Sequence, residues 1–414
     1  MCLPLLAHAE RCEGCGRCLD QAPRESLLLK LMHMARMTMG GKHVMLVKDW
    51  PSNMIVSNIT YILIEEVLGY QDSLQIEFGC CTRGSFRDLA SERAQISMEM
   101  WSSSDAQGFA RYSPAYVHAG ESFDYARSGL YFRPSPADAE LLLAKGRFYG
   151  HFNETVLPLL PTPEQVMHLC TPDLASHCIE TPNRACLVPG SGCKALLKST
   201  DSLDPGIVER MIANASLPLV IVYTGYVEQL YLYGGGAAAS SSAAALHASL
   251  ANHTLLFYAW EPQASVVTPG SGLMRLNFDP PVACEDGMAA TAYPLTGRKA
   301  CDFAPGGAHK GLSPRIAQSF SDIEHLVTAF KLSAAEINAM ETGNHSAARD
   351  WAGAACEWVR AHEASTVRRL TRRVHGPPIH SWPASPVVSH AQRDLLRLPL
   401  LFIHRCEVGC STRH

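Results

Sequence analysis

The chain has 414 residues, 47% of them hydrophobic and 18% charged, with a formal net charge of −4. That balance supports sizeable buried cores and excludes global disorder. It also argues against a nucleic-acid partner, because the one basic run, Arg368, Arg369, Arg372 and Arg373, is short and reads as a solvated helix end.

Residues 1–41 form a Cys- and Met-rich extension with a helix predicted over Arg24–Met37. Cys12, Cys15 and Cys18 have a spacing at which thiolates can converge on a metal or iron–sulfur centre. A fourth Cys followed by Pro, which the bacterial cluster motif requires, does not follow. Disulfides or leader sequence are the other readings, so no metal is assigned. From Lys42 the pattern changes to alternating strands and helices: strand His43–Lys48, helix Met54–Leu68 stopped by Gly69, strand Leu74–Phe78, helix Ser85–Arg93 and strand Gln95–Met100. Such alternation implies a parallel sheet. Arg127–Pro134 reads as an extended crossing segment, and residues 161–200 as a Cys-rich stretch of turns. Leu217–Tyr223 and Thr254–Ala259 are buried strands, separated by the low-complexity run 234–245. Ser321–Phe330, Ala334–Glu341 and His345–Ala364 are predicted helices, and 371–414 is a Pro- and His-rich tail. Trp351 and Trp358 lie seven apart on the last helix and share its buried face.

Three other tryptophans, Trp50, Trp101 and Trp260, each follow a predicted strand. In an open α/β sheet the carboxyl ends of strands line the ligand crevice. Three aromatic faces there, with few acids between them, suit a cation that has no N–H to donate, such as a quaternary ammonium group. Ser52 and Asn53 follow Pro51 at a helix start, where backbone N–H groups and the helix dipole suit a ligand carboxylate. Helix capping is the other role open to them. Tyr223 also ends a strand, where it either joins the wall of the site or packs.

Fifteen cysteines favour an oxidising compartment. Five of nine asparagines stand in N-x-S/T: Asn58, Asn153, Asn214, Asn252 and Asn344, with Asn58 the weakest because it falls within a predicted helix. These features point to a secreted, disulfide-bonded glycoprotein in the extracellular space or secretory lumen, although residues 1–7 are too short for the apolar part of a signal peptide. No run of about 18 apolar residues occurs, so no membrane span is expected. No nucleophile elbow, Walker loop, dinucleotide fingerprint or H-E-x-x-H helix occurs, and the chain is read as a non-enzyme without cofactor.

Residues 42–370 resemble the substrate-binding proteins of glycine betaine, proline betaine and choline ABC importers. The blocks that carry the likeness are HVMLVKDWPSNMIVSNITYILIEEVLGY, AQISMEMW, SGLYFRP, FYAWEPQASV and the helical region from Ser321 to Val359. The resemblance implies a two-lobed periplasmic-binding-protein-like α/β fold of type II, each lobe a sheet flanked by helices, with ligand in the cleft between them. Lobe I would comprise residues 42–128 and 265–370, and lobe II residues 129–264. The implied cage for the quaternary ammonium ligand is Trp50 and Trp101 from one lobe with Tyr131 and Trp260 from the other. It also implies a membrane transporter or receptor as partner. The inserts at 155–200 and 234–245, with the cysteines and sequons, leave open an extracellular interaction domain that keeps the fold without the ligand.

Overall fold

The computed structural model describes residues 42–48, 50–79, 82, 84–102, 106–146, 151–170, 177–188, 190–199, 206–214, 216–224, 250, 252–262, 273–277, 308–343 and 350–362. All lie within the unit Met1–Val374; a second unit, His375–His414, falls outside them. The Cys12/Cys15/Cys18 group, the predicted helix Arg24–Met37, the low-complexity run 234–245 and the basic run 368–373 also lie outside them.

β1 (His43–Lys48) is buried along almost its whole length and pairs in parallel with β2 (Leu74–Gly79) and β3 (Ile96–Trp101). α1 (Pro51–Ile62) connects β1 to β2, with Pro51 at its first turn, where a missing N–H costs nothing. It continues as one π-helical turn, Leu63–Val67. Gly69, at φ 83°, then ends it, and Tyr70 N donates back to Ile64 O. Glu65 within that turn is buried and accepts from the backbone N–H groups of Asp72, Ser73 and Leu74 at 2.6, 3.1 and 2.9 Å, which fixes the entry to β2. α2 (Ser85–Ala90) leads to β3, and α3 (Ala106–Tyr112) follows it.

β4 (Val117–Glu121) and β11 (Ala308–Leu312) complete the first sheet in the order β2-β1-β3-β11-β4, with β11 antiparallel to both neighbours. His309 and Gly311 pair with Met100 and Ser97 of β3, and with Glu121 and His118 of β4. Lys310 therefore stands opposite two residues on each side, Met98–Glu99 and Ala119–Gly120. These are β-bulges, and Gly120 in its bulge has φ 84°. The extra residue in β3 shifts its alternation. Ile96 and Met98 face the main core, Met100 faces a smaller cluster with Phe86, Leu89 and Tyr116, and Trp101 returns to the main core.

Gly311 marks the closest approach in this sheet. A Cβ there would stand 2.5 Å from Leu89 Cδ1 and 2.7 Å from Met100 Cε. Gly311→Val is expected to cost about 1–3 kcal/mol through overpacking. Denaturant titration checks it, and an unchanged midpoint contradicts it.

The chain crosses to the second sheet between Glu121 and Arg127, a passage held by the bridge Phe123–Leu332. That sheet runs β10-β5-β9-β7-β8-β6. Its strands are β5 (Arg127–Arg133), β6 (Ile179–Glu180), β7 (Lys194–Lys198), β8 (Leu219–Tyr223), β9 (Leu255–Glu261) and β10 (Met274–Arg275). β7, β8 and β9 are parallel, with antiparallel strands outside them, so the expected parallel core is present in both sheets and the edges are mixed. α4 (Ile207–Asn214) lies between β7 and β8 in the chain. The expected return to the first lobe at residue 265 needs correction: Met274 and Arg275 pair with Phe132 and Tyr131, so the second sheet keeps the chain past that point.

α5 (Pro314–Ser319), α6 (Ser321–Ala329), α7 (Ala334–Thr342) and α8 (Trp351–His362) follow β11. α8 packs on α1, and Trp351 and Trp358 are buried in the main core, as their spacing predicts. Lys310 reaches the end of α6, where its ammonium group donates to the carbonyls of Val327, Thr328 and Phe330. A cation at a helix carboxyl end is favourable. Burial nonetheless pulls its pKa down to about 8.

Candidate cation site at the strand ends

Trp50 and Trp101 stand at the carboxyl ends of β1 and β3. The turn from β1 into α1 places Trp50 at the helix N-cap, and the bulge in β3 turns Trp101 to the same side. Both indole N–H groups donate to one oxygen, Glu99 Oε1, each at 2.7 Å. Ser52 Oγ lies 3.2 Å from that oxygen and 3.0 Å from Oε2. Glu99 is fully buried, and burial pushes its carboxyl up to about 7 against the three donors that favour the charged form. The expectation of few acids among the tryptophans is therefore corrected: a carboxylate sits where two of them meet. Strict alternation through ISMEMW hides it, because the register that creates the bulge lies in β11, more than 200 residues away.

Neither Ser52 nor Asn53 caps the helix or offers its side chain to a crevice. The Ser52 hydroxyl turns inward to Glu99. Asn53 Oδ1 accepts from Lys48 N at 2.6 Å, and its Nδ2 donates to Glu99 O at 3.3 Å. Asn53 thus pins the start of α1 to the ends of β1 and β3, and both residues are buried. Their roles are to position Trp50 and Glu99.

Trp260 lies near the carboxyl end of β9, is half-buried, and packs against the main core cluster that contains Trp50 and Trp101. Trp260 is thus the residue of the second sheet that packs against this cluster, whose buried members, Trp50 and Trp101 among them, come from the elements around the first sheet. Tyr131 does not join them. In the β5–β9 pairing Tyr131 is opposite Phe257, whereas Trp260 is opposite Ser128. Side chains alternate along a strand, so Tyr131 and Trp260 leave opposite faces of the sheet. Tyr131 belongs to a separate cluster with Phe257 and Ala259. Its hydroxyl donates to Glu261 Oε1 at 2.8 Å, and the Arg275 guanidinium covers its ring at 6.0 Å. A cation already occupies that aromatic face.

A second polar cluster stands at the carboxyl ends of β7 and β8. Lys198 Nζ, fully buried, donates to Glu209 Oε1 at 2.9 Å. Tyr223 donates to Glu180 Oε2 at 2.7 Å and lies 3.1 Å from Glu209 Oε1. His177 adds a contact to Glu180 at 3.0 Å. Tyr223 is buried and committed to these carboxylates, which settles it as a packed residue.

Disulfides Cys170–Cys178 and Cys186–Cys193 tie down the Cys-rich insert. The insert walls a cavity of about 600 Å³ with Glu164, Ile179, Leu187, Val188 and Val220 among its lining. Asn153 and Asn252 are exposed, whereas Asn58 is partly buried and donates to Met54 O within α1. Among the described residues no helix is long and apolar enough to cross a membrane, and no group of His, Cys, Asp and Glu could hold a metal ion.

No protein-family model and no curated protein matches the chain. Among solved structures it is similar to lactococcal OpuAC in a closed-liganded conformation with glycine betaine, at 9% identity, covering 80% of this chain and 99% of that one, with a TM-score of 0.47. A glycine betaine and L-proline-binding protein (ProX) from Borrelia burgdorferi shares 12% identity over 80% of this chain and 99% of its own, with a TM-score of 0.47. An ABC-transporter choline binding protein in complex with choline shares 12% identity over 79% of this chain and 91% of its own, with a TM-score of 0.48. At such identities, what those proteins bind remains a property of those proteins.

Proposed function

We propose that the chain is a non-catalytic solute-binding domain that captures a quaternary ammonium compound against Trp50, Trp101 and Trp260. The observation that supports this reading is that Trp50 and Trp101 stand at the carboxyl ends of β1 and β3, oriented by a single carboxylate, with Trp260 of the second sheet packed against the same core cluster. The Glu99 bonds use up the indole N–H groups of Trp50 and Trp101, which leaves π-faces and methyl-sized apolar surface as what these rings offer a ligand. Each face is worth about 0.5–2 kcal/mol toward an onium group, so three faces supply at most about 6 kcal/mol, which corresponds to a Kd of tens of micromolar or weaker. The sequence blocks resembling betaine- and choline-binding proteins contain these same three residues. The two disulfides support an oxidising compartment, and a membrane transporter or receptor fits as the partner that takes over the ligand.

Titration of the full chain with choline and glycine betaine, followed by calorimetry and tryptophan fluorescence, tests the reading. Saturable binding of at least one is expected. Flat titrations with folded protein overturn it. They favour a second reading, an extracellular interaction domain without ligand. The near-complete burial of Trp50 and Trp101, each 6% exposed, supports that alternative.

A further inference from the structure

We propose that Glu99 supplies the counter-charge for the bound ligand, so that the site selects a net cation of the choline type over a zwitterion of the betaine type. This rests on the cation-binding reading of the three tryptophans given above. The geometry is specific to the bulge in β3. Without the extra residue, Glu99 and Trp101 would leave the face that carries Trp50. With it, the carboxyl group lies at the junction of two indoles from two different elements, wholly removed from water. Its oxygens accept from Trp50, Trp101 and Ser52, an arrangement that suits an anion better than a neutral acid.

Burial opposes that anion when the site is empty, and Glu99 holds its proton up to about pH 7. A positive charge brought onto the indole faces stabilises the carboxylate through a medium of low dielectric. The proton then leaves to solvent, and ligand and carboxylate form a neutral pair. A zwitterion carries its own anion, cancels most of that field, and gains little from Glu99. Choline affinity is therefore linked to proton release, and betaine affinity is not.

Among the described residues, the charged side chains on the elements packed around Glu99 are engaged elsewhere. Lys48, at the end of β1, directs its ammonium group over Gly79 of β2, on the side of β1 away from β3. Lys310, opposite the bulge on β11, is held by three carbonyls at the end of α6. α1 contributes only the uncharged Ser52 and Asn53 to this corner, and on β9 Glu261 accepts from Tyr131.

Calorimetry of choline and glycine betaine binding to the full chain at pH 6, 7 and 8, in two buffers of different ionisation enthalpy, tests the proposal. Choline affinity is expected to rise about tenfold from pH 6 to pH 8 with close to one proton released at pH 6. Glycine betaine is expected to bind more weakly with no proton release. Glu99→Gln is expected to remove the pH dependence and to narrow the difference between the ligands. The proton count on the wild-type chain stands even where the variant fails to fold. Equal, pH-independent binding of both ligands without proton release overturns the role of Glu99 and leaves the solute-binding reading intact. Binding of neither overturns both.

Discussion

Between pH 4.5 and pH 7 the wild-type protein is expected to lose on the order of 3 kcal/mol of stability that the Glu99→Gln protein keeps. The folded carboxyl binds its proton more tightly than the unfolded one. The corresponding stability is fully present below the ordinary value of 4.5 and is lost as pH rises through about 7. Above that pH the folded chain must hold a buried carboxylate among two indoles and a serine. Glutamine keeps the size, keeps an oxygen for the Trp50 and Trp101 N–H groups, and carries no charge at any pH. Urea denaturation with disulfides intact, run on both proteins across this window, measures the difference. Parallel pH profiles contradict the placement of Glu99 in a dry, uncharged corner.

Trp260→Ala and Trp358→Ala are expected to separate binding from folding. Trp260 is half-buried, so its loss is expected to cost less stability than that of the buried Trp358, and it removes one of three faces. A face worth up to about 2 kcal/mol corresponds to a loss in choline affinity of up to about thirtyfold. Trp358 is 6% exposed, meets Phe330 edge-on at 5.9 Å between ring centroids, and donates its N–H to Glu336 at 3.1 Å. Its truncation is expected to cost about 3–5 kcal/mol of stability. The affinity of the protein that remains folded is expected to be unchanged. Denaturation midpoints and choline titrations on both variants check the pair. Equal effects of the two substitutions on affinity remove the distinction between site and core tryptophans.

The first βα units could be read directly, because β1, α1, β2, α2 and β3 each have a clear period and a clear stop, Gly69 among them. Trp351 and Trp358 were equally plain from helical spacing. The strands that went unseen lack such marks. Lys194–Lys198 reads KALLK, with a lysine at each end, and is nevertheless a central strand because Glu209 meets the buried Lys198 ammonium group. Ala308–Leu312 reads AHKGL and is held by the close fit of Gly311 against Leu89 and Met100.

The candidate site was half legible for the same reason. Which residues end strands follows from local pattern, so Trp50, Trp101 and Trp260 could be found. Which face a side chain leaves depends on register, and one residue of slip reverses it. Glu99 was hidden by the bulge opposite Lys310. Tyr131 enters the cage only through the family resemblance, and its place opposite Phe257, on the other face from Trp260, is set only when β5 meets β9. Ser52 and Asn53 read from the sequence as holders of a ligand carboxylate or as helix caps, and their side chains do neither. Their partners, Glu99 and the backbone of Lys48, come from long-range pairing.

A crystal structure of the full chain with choline bound tests the central claim most directly. The onium group is expected to lie within about 6 Å of the ring centroids of Trp50, Trp101 and Trp260, with Glu99 at the edge of the cage. Choline found away from these rings, or the three indoles packed on one another with no ligand between them at saturating choline, would contradict it.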